Sequence, residues 1–275
     1  MQRLGHTTPF GLNGAMLHTW GTLFLAAGVV SRSILQGQLL HIGQVSAEAL
    51  VQAMQSSKTV MLYATLALVL QAIETCAVPI FAFLLVEGAE HTASFRNYFL
   101  RVTGLALLSE IPYNLAVSGM PVDWSSRNPV LGLVFCLVLL FFYRRFPEKK
   151  AGHLLLRGLV TAAALVWCSM LSIQYGSGLV VIFVVLWAFR AKPMIRSIAG
   201  ASASMLCCLF SMFFMAAPMG FLAIHINNGE KGADNRLVNY LTYPVMLLVT
   251  GLVGILLFRH SRCGTHRYGE CPAEE

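Results

Sequence analysis

The chain has 275 residues, of which 57% are hydrophobic and only 11% charged. Soluble domains carry roughly 25% charged residues, so this sequence cannot cover a water-facing surface and reads as an all-α polytopic protein of a lipid bilayer. Its apolar runs are long and continuous, which excludes an outer-membrane barrel, and its net charge of +7 matches the Lys and Arg that membrane proteins keep in cytoplasmic loops, so no nucleic-acid partner is expected.

A spanning helix needs about 20 apolar residues. Eight candidate segments follow one another along a single transmembrane domain, 1–275, at 15–36, 59–87, 97–118, 128–146, 153–172, 176–190, 197–223 and 237–258. Residues 1–14 are polar or mixed and lead directly into the first of them, so no cleavable leader is expected. The loop 37–58 holds 47-AEALVQAMQ-55, spaced for a short interfacial helix or an extension of the second span. The second span contains Pro79, which predicts a kink. The sixth is short and needs support from protein neighbours.

Orientation follows from the cations. With eight crossings, 14 of the 19 Lys and Arg residues fall on the side of the N-terminus and five (Arg32, Lys58, Arg127, Lys231 and Arg236) on the other. Both termini are therefore expected in the cytoplasm, with the protein in a bacterial inner membrane. No internal repeat is visible, which argues against an inverted-repeat transporter. Cys76, Cys136, Cys168, Cys207 and Cys208 lie in apolar runs and read as small buried thiols. Cys263 and Cys271 stand near His260 and His266 without CxxC or HxxxH spacing, so no metal site is expected.

Against this apolar background the polar residues stand out, because an ionisable group at mid-bilayer costs about 2.5–3.5 kcal/mol. Glu74 and Glu110 lie near the middle of two spans that form a hairpin. If they meet, one of them holds a proton. Glu110 reads either as a base or as a protonated carboxyl bonded to a neighbouring helix, and Glu74 as the latter. Glu87 and His91 are spaced i, i+4, so one helix face presents both. A carboxylate so placed orients an imidazole and raises its basicity, although an ordinary ion pair at a helix end has the same spacing. Arg96 and Arg101 follow, suited to cofactor phosphates or to lipid headgroups. In 109-SEIPYNLAVSG-119, Pro112 frees a backbone carbonyl beside Tyr113 and Asn114. Together with Asn128, His225, Asn227, Asn228, Tyr240 and Tyr243, these predict a polar pocket opening outward.

The run 79-PIFAFLLVEGAEHT-92, followed by 96-RNYFLR-101 and 109-SEIPYNLA-116, resembles the core signature of the TraX family, whose named member is a conjugative-transfer protein that acetylates the N-terminus of F pilin. The segments 227-NNGEKG-232 and 243-YPVMLL-248 resemble two further stretches of that family. The resemblance implies a multi-pass membrane acyltransferase. It would use acetyl-CoA or another acyl-CoA as co-substrate and an amine or hydroxyl of a pilin, glycan or small molecule as acceptor. On that reading His91 is the base, Glu87 orients it, and Glu110 completes the catalytic set. Arg96 and Arg101 bind the donor, while Tyr113, Asn114, Asn128, Asn228 and Tyr243 hold the acceptor and steady the oxyanion. The sequence departs from the family at three places. The stretch 22-TLFLAAGVVSRS-33 has no acid or histidine where the family carries an Asp-His pair, Gln174 precedes Tyr175-Gly176 in place of an Asp, and Met246 replaces a histidine. Either Glu87, His91 and Glu110 suffice for the reaction, or the reaction has changed. The competing class is a non-enzymatic membrane protein, either a proton-coupled small-solute transporter or a pilus or secretion assembly factor.

Overall fold

The computed structural model describes residues 11–42, 45–147, 150–230, 232 and 236–264. Among them no strand forms, and the only β pairing is three isolated bridges. Helix α1 (Gly14–Val30) starts where the Asn13 side chain accepts from the Met16 amide at 2.8 Å, and it runs on as a π-helical segment, Ser31–Leu39. Ser46, Ser57 and Ser94 cap α2 (Ala47–Ser56), α3 (Lys58–Thr75) and α5 (Phe95–Ser118) in the same way. Between the last two lies α4 (Ala77–Glu90). The remaining helices are α6 (Val130–Arg145), α7 (Ala151–Met170), α8 (Gly176–Ala188), α9 (Pro193–Leu206), α10 (Pro218–His225) and α11 (Arg236–Gly264).

Three stretches are long and apolar enough to cross a membrane: Gly14–Leu39, Lys58–Glu90 and Ala151–Met170. Shorter apolar helices complete the bundle. The predicted kink in the second span falls just before Pro79. Proline has no N–H to donate to the carbonyl four residues back, Thr75, and its ring crowds that carbonyl. Helix α3 therefore stops at Thr75 and α4 restarts at Ala77. The 47–55 segment forms α2, exposed and set off from α3 only by Ser57.

The predicted seventh span is not a single crossing. Helix α9 begins beside the end of α4, where Arg190 pairs with Glu90 at 3.1 Å. Two short 3-10 turns, Cys207–Leu209 and Met212–Ala216, then reverse the chain. Pro218 cannot donate to Phe214, so a continuous helix through this run would lose a bond at its centre. Helix α10 returns against α9 and α4. A Cβ on Gly200 would sit 2.2 Å from the Phe221 ring, and one on Gly220 would sit 2.4 Å from the Cys76 carbonyl oxygen. The tip is anchored by the α3–α4 break, where the Thr75 hydroxyl donates to Phe213 O at 2.8 Å and the Cys76 thiol to Ala216 O at 3.2 Å. The returning strand of the hairpin ends beside the start of α1, with Asn228 N donating to Leu12 O at 2.9 Å and Leu12 N to Ile226 O at 3.1 Å.

This hairpin changes the parity of the bundle. Helix α11 starts at the end where α1 starts and reaches Ala116 at Gly251 and Ser33 at Gly254. Its C-terminal end therefore lies at the opposite end of the bundle from Gly14. The predicted seventh span, 197–223, is thus a hairpin among the described residues, and eight continuous spans are not shown. Among the described residues the core has three parts, one around Phe83, Leu137 and Phe183, one around Ala106, Tyr113 and Leu247, and a small one of Leu35, Leu40, Ala64 and Ala67. Cys76, Cys136, Cys168 and Cys207 are free and buried in it, and Cys208 is half-buried. The side chains of His260 and Cys263, and residues His266 and Cys271, lie outside the described residues.

Candidate functional site

A cleft of about 830 Å³ opens at the bundle end where α1 and α11 begin and α4 finishes. Its rim carries Glu87 and His91 from α4, Asn97 and Arg101 from α5, Glu230 from the loop after α10, and Tyr240 from α11. Helix α4 delivers the first two because it ends here. His91 is its C-cap, with φ −96° and ψ 0°, and it closes the last turn through His91 N to Glu87 O at 3.1 Å. The i, i+4 spacing brings the two residues together, but through the backbone. His91 Nδ1 lies 2.9 Å from the Glu87 carbonyl oxygen. A carbonyl only accepts, so Nδ1 carries the proton and Nε2 is left with its lone pair.

Three further features of the cleft escaped the sequence reading. His18 of α1 lines it, edge-on to Phe81 with ring centroids 5.7 Å apart. Gly88 leaves room for Tyr98, whose hydroxyl would lie 2.8 Å from a Cβ there. Glu230 accepts from Asn228 Nδ2 at 3.2 Å. Asn228 therefore belongs to the rim end of the bundle, which corrects its assignment to an outward pocket. It sits there because the α9–α10 hairpin returns the chain. Arg101 lines the cleft and donates from Nε to Asn97 O at 3.2 Å, whereas Arg96 is exposed and is not among the lining residues.

The other predicted groups form a second, closed network in the opposite half of the bundle. Arg32, from the π-helical turn, makes a two-pronged pair with Glu74 at 2.5 and 2.6 Å, and both residues are buried. The Tyr175 hydroxyl adds a third bond to Glu74 at 3.0 Å. Gly28 makes the approach possible, because a Cβ there would fall 2.0 Å from the Glu74 carboxyl carbon. Glu110 has its own cation, Arg127 at 3.2 Å, and accepts from Asn128 N at 3.4 Å. Asn128 in turn accepts from the Tyr243 hydroxyl at 3.0 Å, and Tyr113 shares a bond with Ser126 at 3.1 Å.

The two glutamates thus do not share a proton, as their common depth had suggested. Each is balanced by an arginine, the arrangement in which a charge is tolerated away from water. Tyr113, Asn114, Asn128 and Tyr243 do not line the cleft either. All four are buried, and Asn114 Nδ2 donates to Pro121 O at 3.5 Å, while Asn114 Oδ1 has no hydrogen-bond partner among the described residues. The loop that closes this network, between α5 and α6, is tied by Asp123. Its carboxylate accepts from Ser125 N at 2.9 Å and Ser125 Oγ at 2.8 Å, bonds that hold it below the usual carboxylate range. Glu110 lies nine residues beyond Arg101 on α5, about 14 Å along the axis, so the cleft and the buried network are separate places. Among the described residues no group of three His, Cys, Asp or Glu side chains is placed to hold a metal.

A bundle of apolar helices, among whose described residues three stretches are long enough to cross a bilayer, with two carboxylate–arginine pairs inside it, defines a helical integral membrane protein. The family model described as TraX protein matches residues 49–254, and the chain belongs to the TraX family. The match takes in α2 to α10 and most of α11 but leaves out α1, the helix that contributes His18 and precedes Arg32. Comparison with curated proteins gives no match, and comparison with solved structures gives none either.

Proposed function

We propose that this protein is a membrane acyltransferase of TraX type, moving an acyl group from acyl-CoA to an amine or hydroxyl at the rim of the α1–α4–α5–α11 cleft. The observation that carries the reading is His91. Its Nδ1 is tied to the Glu87 carbonyl and its Nε2 is free to accept a proton at the mouth of a substrate-sized hollow. His91 Nε2 takes the proton from the acceptor as its nitrogen or oxygen attacks the thioester carbonyl carbon. The C–S bond then breaks, and the imidazolium returns the proton to the departing thiolate. Glu87 stands on the same rim and is placed to orient the acceptor or the imidazole. Arg101 offers a guanidinium to a donor phosphate. The buried network holds α1, α3, α5, α6 and α11 in register and takes no part in the transfer.

The cleft faces the cytoplasm on this reading, where acyl-CoA is found. Arg144, Arg190 and Lys192 lie at the cleft end, Arg144 donating to Ala89 O at 2.7 Å, whereas Lys58 and Arg127 lie at the other. The chain then makes seven crossings of a bacterial inner membrane, with α9 and α10 entering and leaving on the same side. A pilin N-terminus, a glycan or a small amine presented at that face is the acceptor.

The test uses the purified full chain in nanodiscs with labelled acetyl-CoA and a primary-amine peptide. General base catalysis contributes about 10²–10⁴-fold, so His91→Ala lowers turnover by that factor while Glu87→Gln costs less. Equal transfer by all three proteins removes His91 from the mechanism, and no transfer from any donor by the wild type removes the enzyme reading.

A further inference from the structure

The cleft is amphipathic along its depth. Below the polar rim it is walled by Phe81, Leu84 and Leu85 of α4, Val102 and Leu105 of α5, and Leu133 of α6. None of these six is ionisable, and the ionisable side chain packed against them is His18 of α1, edge-on to Phe81 with ring centroids 5.7 Å apart. Phe81 stands ten residues before His91 on α4, and Leu105 eight residues after Asn97 on α5. At the helical rise these spacings put the floor about 12–15 Å below the rim. An acetyl group attached to a donor held at the rim would reach none of it. Apolar walls of this kind pair favourably with hydrocarbon and not with water.

We infer that the cleft binds a medium-length fatty acyl thioester, its thioester carbonyl beside His91 and its hydrocarbon tail extended along Leu84, Leu85, Leu105 and Leu133. An extended chain gains about 1.3 Å per carbon, so the depth accommodates roughly ten carbons. The tail enters between α4, α5 and α6, at the level where Phe81 and Leu133 close the floor. The inference rests on the acyltransferase reading for the identity of the head group, and concerns the length of the group transferred. The bond changes are those of acyl transfer: the thioester C–S bond breaks, the acceptor C–N or C–O bond forms, and the thiol carries off the proton.

Binding of coenzyme A, acetyl-, octanoyl-, dodecanoyl- and hexadecanoyl-CoA to the full chain in nanodiscs tests it, measured by calorimetry alongside transfer with each donor. Each methylene taken up by an apolar wall tightens binding by at most about fourfold. Octanoyl-CoA is expected to bind at least about tenfold tighter than acetyl-CoA, with the gain levelling off near ten carbons. Leu133→Trp and Leu105→Trp, on different helices, fill the floor. Either one moves the plateau to shorter chains, whereas Leu155→Trp, on the exposed face of α7, moves nothing. Equal affinity for acetyl- and dodecanoyl-CoA in the wild type overturns the inference. So does a plateau that both floor variants leave in place, or competition by a lysophospholipid as strong as by the acyl-CoA of equal chain length. Chain-length-dependent binding with no transfer from any donor leaves this inference standing and defeats the enzyme reading. Acetyl transfer without chain-length dependence does the reverse.

Discussion

Replacing Arg32 with methionine keeps most of the side-chain volume and removes the cation that balances Glu74. Glu74 is fully buried, and its two oxygens accept from Arg32 at 2.5 and 2.6 Å. After the change only the Tyr175 hydroxyl, at 3.0 Å, faces the carboxylate. Breaking a buried pair by removing one partner costs about 3–5 kcal/mol, because the remaining charge is left uncompensated. For a chain of this size that is on the order of a 10 °C fall in Tm. Arg32→Met with Glu74→Met removes both charges, and replacing a buried pair with well-packed apolar residues is often neutral. The double variant is therefore expected within about 1–2 kcal/mol of wild type, less than the larger of the two single losses. Thermal unfolding in detergent, followed by intrinsic fluorescence and by recovery of monodisperse protein, reads both. A single variant within 2 °C of wild type, or a double variant less stable than either single, refutes the account of a charge pair sealed in the bundle.

Three further outcomes follow from the same geometry. With single cysteines introduced in a cysteine-free background, Thr92→Cys and Asn228→Cys are labelled by an impermeant maleimide from one face of the membrane and Asp123→Cys from the other. Labelling of Thr92→Cys and Asn228→Cys from opposite faces would restore the eight-crossing topology. Gly220→Ala puts a methyl 2.4 Å from the Cys76 carbonyl oxygen, a backbone atom with little freedom to move. It is expected to lower stability by about 1–3 kcal/mol, whereas Gly152→Ala, with open space around it, does not; equal Tm values would show that α10 is not packed on the α3–α4 break. Tyr175→Phe removes a hydrogen bond to a buried charge and is expected to cost about 1.5–3 kcal/mol, measured by the same thermal assay, and an unchanged Tm would show that Glu74 is held by Arg32 alone.

Much of the helical layout was legible. The apolar runs at 15–36, 97–118, 128–146, 153–172 and 176–190 match helices within a few residues, because apart from Pro112 nothing in their interiors denies the backbone its own hydrogen bonds. Pro112 lies within α5 without ending it, whereas Pro79 and Pro218 accompany breaks. The difference is what surrounds them, since Thr75 and Cys76 have the hairpin tip to bond with. Of the candidate site, the pair Glu87 and His91 and the nearby Arg101 were visible as polar residues at the end of an oily run. His18, Tyr98 and Glu230 were not, because no local pattern ties a histidine in the first helix to a carboxylate more than two hundred residues later. The buried network was legible only as a list of polar residues, since partners such as Arg32 and Glu74 are 42 positions apart.

Composition and periodicity by themselves determined that this chain lives in a bilayer as helices, and a run of residues determined its resemblance to the TraX family. Those are properties of each segment alone, summed along the chain. Tertiary structure decided which carboxylates are paired and sealed and which stand at an open cleft, and on which face the last helix ends. The physical reason is that a buried charge accepts only an arrangement that satisfies all its partners at once, and a helix turns back only where another element supplies the bonds its broken backbone has lost.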